Sequence, residues 1–323
     1  MTMAGSLWPR RARRLPLGQD RQFEAEPGTH LLAKCHWQPQ PREHATLVLV
    51  HGLEGSSESG YMRGLAEQAF VAGLNVLRVN QRSCGESEEL STTLYGSGLS
   101  GDYRSILLEL IAQDGMPEIF FAGYSMGGNL VLSMAGKLGG DAPAELRGVC
   151  GVCPTIELDD CVGAIERPEN ALYQWHFLSG LKARLRRAAR RSAGRSLDGL
   201  GRLDGPGRMR TIREFDDAVT APHFGYRGAD DYYFRASAAR VIGGIAVPAL
   251  IVTAQDDPVV PFKIFGGPDL RGNSQVQIVA PAHGGHCAFI SRFSGWERFW
   301  AEARVVEFCN TNARIGVAAH LQK

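Results

Sequence analysis

The chain has 323 residues, of which 44% are hydrophobic and 21% are charged, and its formal net charge is +1. This is the composition of an ordinary globular protein that is long enough to bury a large core. The nearly neutral balance argues against a nucleic acid or a strongly acidic molecule as a partner. No run of 18 apolar residues predicts a membrane-spanning helix, and residues 1–20 lack the apolar segment of a secretory signal.

The seven cysteines are an odd number, without the regular spacing of a small disulfide-rich domain. We expect reduced, mostly buried thiols in a cytoplasmic protein. Cys150 and Cys153 have the spacing of a redox or zinc pair, but no second pair lies nearby. The surrounding residues, 146–153, are typical of a buried strand, and we favour that interpretation. We expect neither a metal nor an organic cofactor.

The first part of the chain alternates short apolar runs with amphipathic segments. Strands are predicted at residues 21–26, 29–37, 45–50, 75–80 and 118–121, and helices at 59–73 and 102–110. Pro27-Gly28 is a turn signal between the first two strands, and Asp102 is the expected N-cap of the second helix. This alternation predicts an α/β fold in which a mostly parallel sheet carries helices on both faces.

A glycine-rich segment, 96–101, matches the Gly-x-Gly-x-x-Gly pattern and precedes a predicted helix. A dinucleotide site needs a buried apolar strand directly before such a segment. The preceding residues, 89–93, are mostly polar, so we do not expect a nucleotide to bind here. The sequence also lacks a Walker lysine motif and a His-Glu-x-x-His motif, so phosphate-loop and zinc-protease functions have no support.

A Gly-x-Ser-x-Gly sequence follows the fifth predicted strand and precedes an apolar helical segment. Strand, sharp turn and helix form the context of a nucleophile elbow, with Ser125 at its apex. Gly123 and Gly127 lack a Cβ, so the strand and helix backbones can pass close to the turn. The first N–H groups of the helix, including that of Met126, suit a developing oxyanion. We therefore predict a catalytic serine; the alternative is a chance serine in a glycine-rich turn.

Two segments are strongly basic. Residues 8–15 carry four arginines, and residues 182–214 carry 11 basic residues against three acidic ones, a local excess of +8. We favour a solvated N-terminal arm for the first and a solvated helix face on an inserted cap for the second. The alternative for both is a weak peripheral contact with an anionic membrane, and the second could also attract an anionic substrate.

The strand pattern returns at residues 247–254 and 275–279, and an amphipathic helix is expected over residues 296–308. Titratable side chains follow both strands, as Asp256-Asp257 and as the segment 282–287, which contains two histidines. The carboxyl ends of parallel strands meet at one edge of a sheet, where active groups gather. The chain order serine, aspartate, histidine is the order of an α/β-hydrolase triad.

Within each pair, one residue is favoured. Asp257 precedes Pro258, which holds its backbone extended at the strand end, whereas Asp256 is expected to be a solvated or loop-capping neighbour. His286 follows two glycines that let the loop bend toward the serine, and His283 is the weaker candidate. The predicted triad is therefore Ser125, Asp257 and His286, with His286 as the base and Asp257 orienting it.

The loop after strand 45–50 begins His51-Gly52-Leu53-Glu54-Gly55. In an α/β-hydrolase this loop supplies the second donor of the oxyanion hole. We assign that role to the backbone N–H of Leu53, together with the N–H of Met126. His51 is expected to brace the loop, and Gly52 belongs to the same motif.

These motifs resemble the YheT-like branch of the α/β-hydrolases, which includes medium-chain ester hydrolases and yeast ethyl ester synthases. The resemblance covers nearly the whole chain and is most specific from Asp216 to Asp257. The second of the two aspartates is the fixed one in the family pattern, which supports Asp257. Gly284-Gly285-His286 resembles the histidine loop, but Ala288 stands where the family has a glycine. The basic lead-in Trp8–Arg11 and the cap helix 173–182 resemble family segments, which argues against a disordered arm.

The resemblance implies one α/β-hydrolase domain, with core segments 1–153 and 241–323 and a cap insertion at 154–240. The hypothesis is a serine hydrolase that cleaves short- to medium-chain acyl esters through an acyl-enzyme, with a small-molecule ester as its partner. An acyltransferase on the same triad, a peripheral membrane lipase and a non-catalytic hydrolase-fold binding protein are the alternatives. The oligomeric state stays open.

Overall fold

Eight strands form one sheet in the computed structural model, which describes residue 10 and residues 12–91, 93–191 and 209–315. The strands are β1 Gln19–Glu26, β2 Thr29–His36, β3 Thr46–Val50, β4 Asn75–Val79, β5 Ile119–Tyr124, β6 Leu146–Val152, β7 Ala249–Val252 and β8 Val276–Val279. Their order across the sheet is β1-β2-β4-β3-β5-β6-β7-β8. The β1–β2 and β2–β4 pairs are antiparallel, and the remaining pairs are parallel. The predicted α/β fold with a mostly parallel sheet is confirmed.

The centre of the sheet is covered on both faces. Every residue of β3, β4 and β5 is buried, as expected for parallel strands that have helices above and below them. The sequences of these strands therefore contain continuous apolar runs and do not alternate between apolar and polar residues. The edge strand β1 differs, because only Phe23 among its eight residues is buried.

The helices follow the strands in alternation. They are α1 Gly60–Val71, α2 Gly101–Ala112, α3 Met126–Leu138, α4 Leu158–Ile165, α5 Ala171–Arg191, α6 Ile212–Phe215, α7 Ala221–His223, α8 Ala229–Ala236, α9 Pro268–Arg271 and α10 Trp300–Asn312. A π-helical turn, Asp216–Thr220, joins α6 to α7. Helices α4 to α8 come between β6 and β7, within the segment predicted as the cap. Within the described ranges, none of the helices combines the length and apolarity needed to cross a bilayer.

The predicted start of the C-terminal helix was wrong. Helix α10 begins at Trp300, whereas Trp296 lies in a separate 3-10 turn, Gly295–Arg298. Phe299 between them has a non-helical backbone and pairs with Ile290 in an isolated β-bridge. That bridge holds the chain extended at the point where the apolar spacing alone predicts a continuous helix.

The predicted N-cap of α2 was also wrong. The helix begins at Gly101 after Ser100, and the Asp102 carboxylate accepts two hydrogen bonds from Arg82, from Nε at 2.8 Å and from Nη2 at 2.6 Å. Both side chains are buried. A buried guanidinium requires such a bidentate carboxylate partner, so a tertiary ion pair takes the group that the sequence pattern assigned to a cap.

The solvated-arm prediction fails at Arg10. Its Nε donates to Glu302 Oε1 at 2.8 Å, and both side chains are almost fully buried. Gln68 Nε2 donates to the other Glu302 oxygen at 3.0 Å. This contact ties the N-terminal segment to helices α1 and α10. Residues 8, 9 and 11 of the basic lead-in lie outside the described residues.

Candidate active site

Ser125 lies at the junction of β5 and α3 in a left-handed backbone conformation, with φ 52° and ψ −116°. A non-glycine residue adopts such angles only where the surrounding structure imposes them. Here the Ser125 N–H donates to the Val152 carbonyl at 2.8 Å, and its carbonyl accepts from Asn129 N–H at 3.1 Å. The bend is therefore held from the neighbouring strand and from the helix that follows.

The two glycines of the motif are required by close backbone contacts. A Cβ on Gly123, in β5, would overlap the carbonyl of Gly127 in the first turn of α3. A Cβ on Gly127 would overlap the carbonyl of Val50 at the end of β3. Helix α3 thus packs directly against the ends of β5 and β3. This is the steric reason for glycine on both sides of the serine.

The structure brings Ser125, His286 and Asp257 into one hydrogen-bonded series. His286 Nε2 lies 3.0 Å from Ser125 Oγ, and His286 Nδ1 lies 2.9 Å from Asp257 Oδ2. Asp257 Oδ1 accepts from the backbone N–H groups of Val259 and Val260 at 2.8 and 3.0 Å. The Asp257 side chain is fully buried and that of His286 is 9% exposed.

The electrostatics of the His286–Asp257 pair favour its charged form. Burial alone lowers the pKa of the His286 imidazole, but the adjacent Asp257 carboxylate outweighs burial and raises it above the ordinary value. Burial raises the pKa of Asp257, and its contacts with His286, Val259 and Val260 reverse that and keep it low. An ionised Asp257 therefore stabilises a protonated imidazole, which is the species formed when a base takes a proton from serine.

Asp256 has a different environment. Its Oδ1 accepts from the N–H groups of Gly284 and Gly285, each at 2.8 Å, and its Oδ2 lies 3.3 Å from Nδ1 of the exposed His283. Asp256 thus supports the turn that carries His286, while His283 faces solvent.

The loop after β3 passes directly beside the serine. A Cβ on Gly52 would lie 3.1 Å from Ser125 Cβ, and the Gly55 N–H donates to the Gly52 carbonyl at 3.1 Å to close a turn. Leu53, within this turn, lines the same pocket as Ser125 and Met126. The assignment of the Leu53 and Met126 N–H groups as oxyanion donors stays a prediction.

His51 is fully buried at the base of this loop. Its Nε2 accepts from the Gln81 N–H at 3.1 Å, so the proton of the neutral ring is on Nδ1, which lies 2.8 Å from the Gly52 carbonyl. Burial lowers the pKa of His51 to about 4, so the ring is neutral at physiological pH. Gln81 Nε2 also donates to the His51 carbonyl at 2.6 Å. These contacts fit the predicted bracing role.

The model of the family described as "alpha/beta hydrolase fold" matches residues 45–293 of this chain. The chain belongs to the α/β-hydrolase fold family. Its predicted resemblance to the YheT-like branch is confirmed, because YheT of Escherichia coli, a protein named as an esterase, is 31% identical over 96% of this chain and 89% of its own length. The protein is therefore an enzyme of the hydrolase class.

Two further comparisons agree with this assignment. The medium-chain fatty acid ethyl ester synthase/esterase 2 of Saccharomyces cerevisiae is 25% identical over 81% of this chain and 61% of its own length. The esterase Pf2001 of Pyrococcus furiosus has the same fold, with a TM-score of 0.59 over 91% of this chain and 92% of that one at 15% identity.

The hydrolase has a mostly apolar pocket at Ser125, and helices α4, α5 and α6 form part of its wall. The apolar side chains that line it include Leu158, Val162, Ile165, Phe177, Leu181 and Phe215. Ser97, from the glycine-rich segment 96–101, also lines this pocket and donates its N–H to the Tyr232 hydroxyl at 2.8 Å. That segment therefore forms part of the pocket wall.

One carboxyl group, Asp216, lies within this pocket lining. It accepts a hydrogen bond from Thr220 Oγ1 at 2.6 Å and another from the Tyr233 hydroxyl at 2.8 Å. Burial raises the pKa of Asp216 to about 6, although both hydrogen bonds oppose that shift. The family resemblance includes Asp216 but gave it no role, and a lone aspartate in a sequence carries no signal of burial.

The basic cap segment is not simply a solvated helix face, because Arg184 is buried and forms an ion pair with Glu54 of the loop after β3. On the same helix, exposed Arg187 pairs with Glu88 at 2.9 Å. Arg213 pairs with Asp159 and Asp230, and Lys182 donates to the Met209 carbonyl. Positions 195, 202 and 208 lie outside the described residues.

The seven cysteines are free, and six are buried. Among the described residues, Cys153, His286 and Cys287 could offer metal ligands, since their donor atoms lie within 4.8 Å of one another. Both His286 nitrogens already have hydrogen-bonding partners. Burial raises the pKa of Cys153 well above its ordinary value, so it is a neutral thiol. Because the thiolate rather than the thiol binds metals, the protonated Cys153 is a poor metal ligand.

We expect Asp216 to make stability depend on pH. Because its folded pKa of about 6 exceeds the ordinary 3.8, its proton stabilises the fold below about pH 4 and that contribution is lost as pH rises through 6. Asp216→Asn cannot ionise, so its unfolding free energy relative to wild type should rise by about 2 kcal/mol between pH 4 and pH 7. Urea denaturation at several pH values measures this. Exposed Asp217→Asn is the matched control, and a similar trend there would contradict the assignment.

Proposed function

We propose that this hydrolase is a serine esterase that cleaves short- to medium-chain acyl esters through an acyl-enzyme. The observation that carries the proposal is the series Ser125, His286 and Asp257, with separations of 3.0 and 2.9 Å, on loops that follow three different strands. Three independent loops seldom bring a hydroxyl, an imidazole and a buried carboxylate together in this order without a catalytic role.

In the proposed mechanism His286 Nε2 takes the proton from Ser125 Oγ as the oxygen attacks the ester carbonyl. The N–H groups of Leu53 and Met126 bind the negative oxygen that forms, and each such donor typically lowers the barrier by about 3–4 kcal/mol. Asp257 holds the imidazole in the tautomer that has its free lone pair toward the serine. The imidazolium then protonates the leaving alcohol, and water releases the acid by the same steps.

The pocket supports an acyl chain as the part of the substrate that is bound. Its apolar walls come from α4, α5 and α6, and they meet Ser125 and Met126 at the reacting end. Burying each methylene of a chain in such a pocket contributes about 0.8 kcal/mol. The lining therefore supports an uncharged acyl group as the bound part of the substrate.

Acyl transfer to an alcohol is the second candidate, favoured by the similarity to a yeast protein named as both ethyl ester synthase and esterase. The same triad would serve, with an alcohol in place of water in the second step. Product analysis with and without added ethanol separates the two reactions.

We also propose a cytoplasmic location, supported by seven free cysteines. Contact of the cap with an anionic membrane stays a prediction.

Ser125→Ala should abolish the hydrolysis of p-nitrophenyl esters and the labelling of the protein by a fluorophosphonate probe, because both need the serine oxygen as nucleophile. Ser133→Ala, at a buried serine of the same helix α3, is the matched control and should keep both activities. Normal turnover by the Ser125 variant would exclude the proposed mechanism.

The two adjacent aspartates should differ sharply. Asp257→Asn should lower kcat by about 10³- to 10⁴-fold, because the amide favours the wrong imidazole tautomer while leaving the geometry intact. Asp256→Asn removes only a support of the histidine turn, and we expect a loss of about tenfold or less. Steady-state kinetics with one ester substrate measures both. A larger loss in the Asp256 variant would reassign the acid of the triad.

Narrowing the pocket should change the preferred acyl length. Val162→Phe adds volume to the wall formed by α4, so kcat/KM for the longest accepted p-nitrophenyl ester should fall about tenfold or more while acetyl ester hydrolysis changes little. Exposed Leu172→Phe on α5 is the control and should leave the profile unchanged. An unaltered chain-length profile in the Val162 variant would show that acyl chains bind elsewhere.

A further inference from the structure

The loop beside Ser125 is joined to the cap by a buried ion pair. Arg184 of α5 reaches Glu54 with two nitrogens, Nε to Oε1 at 3.2 Å and Nη2 to Oε2 at 3.3 Å. The Tyr95 hydroxyl donates to Glu54 Oε1 at 2.6 Å. The Arg184 and Glu54 side chains are only 6% and 10% exposed. We call Glu54, Tyr95 and Arg184 the loop–cap cluster.

The guanidinium in this cluster has further contacts that fix its position. Its Nη1 donates to the Ser83 carbonyl, and its Cζ lies 5.0 Å from the centre of the Tyr95 ring. One turn earlier on α5, a Cβ on Gly180 would overlap the Glu54 carboxylate, so glycine is needed for the helix to approach the loop. The cap helix and the loop are therefore fitted closely to each other.

The backbone of Glu54 shows why this cluster matters to the loop. Its φ is 57°, in the left-handed region, which a non-glycine residue adopts only where other contacts offset the strain. The side chain of this same residue is bound by Arg184 and Tyr95. Glu54 directly follows Leu53, so these contacts set the orientation of the peptide that joins them.

We propose that the Arg184–Glu54 ion pair holds the oxyanion loop in its catalytic position, so that the enzyme is competent only while α5 is packed against the loop. Glu54 and Arg184 are thus positioning residues that act through the Leu53 N–H. This inference rests on the proposed esterase function. It also gives Arg184 a role other than binding an anionic lipid or substrate, because its nitrogens already contact Glu54 and Ser83.

The geometry also connects substrate recognition to catalysis. Phe177 and Leu181, on the same helix as Arg184, line the apolar pocket. An acyl chain that contacts these side chains stabilises α5 in the position that the ion pair requires. Remote binding energy of this kind raises kcat when it fixes a group that is used in the transition state.

The test compares Glu54→Gln and Arg184→Lys with Arg187→Lys, whose exposed ion pair with Glu88 lies on the same helix. Lysine keeps the positive charge beside Glu54, which favours retention of the fold. It cannot make the bidentate contact of the guanidinium, which is the interaction under test. We expect kcat to fall about tenfold to a hundredfold in the first two variants, with KM within about threefold of wild type. The Ki of a boronic acid inhibitor, which forms a tetrahedral adduct, should rise by the same factor as kcat falls.

Stoichiometric labelling by a fluorophosphonate gives the concentration of folded sites, so a loss of folded protein is corrected for. Arg187→Lys should remain within about twofold of wild type in every measurement. The proposal is overturned if the Glu54 and Arg184 variants keep wild-type kcat, if only KM changes, or if the boronic acid Ki does not follow kcat. A wild-type enzyme without esterase activity would instead refute the proposed function.

Discussion

The close approach of three backbones at Ser125 is the constraint on which the site depends. Helix α3 begins against the end of β3. The backbones of the helix and the strands are so close at Gly123 and Gly127 that neither position has room for a side chain. The bend this imposes places the serine in a left-handed conformation above the sheet. Strain of this kind persists only in a well-packed surrounding. The fully buried strands β3 and β5 supply that surrounding.

The order of the strands determines where the loops that carry the site residues lie around Ser125. Because β5 lies between β3 and β6, the serine has the loop after β3 on one side, and the loops after β7 and β8 approach from the other. Each loop is fixed by its own buried polar contacts: His51 with Gln81, Asp257 with two backbone N–H groups, and Asp256 with the glycines before His286. A mobile loop at any of these points would separate groups that must lie within about 3 Å of each other.

Local patterns predicted the strands, the elbow and the residues brought together at the strand ends, because these depend on spacing along the chain. Proline after Asp257 and glycines before His286 favour one residue from each pair, and these two residues lie within hydrogen-bond distance of each other in the structure. The errors occurred where distant residues compete for a group. The local pattern predicts Asp102 as a helix cap, but its side chain binds Arg82. The basic segment predicts a solvated helix face, but Arg184 within it binds Glu54. Burial of a charge depends on the tertiary fold. The sequence shows both residues of an ion pair, but it does not show that they are partners.

Helix α5 therefore does more than line the pocket. Two opposite charges removed from water are costly to separate, so the Arg184–Glu54 pair favours one relative position of α5 and the loop after β3 over all others. A surface pair such as Arg187–Glu88 has no comparable effect, because water replaces either partner. The same amino acid three positions apart on one helix thus has two different functions. Arg184 and Arg187 carry the same charge, and it is the burial of Arg184 that lets this residue shape the site.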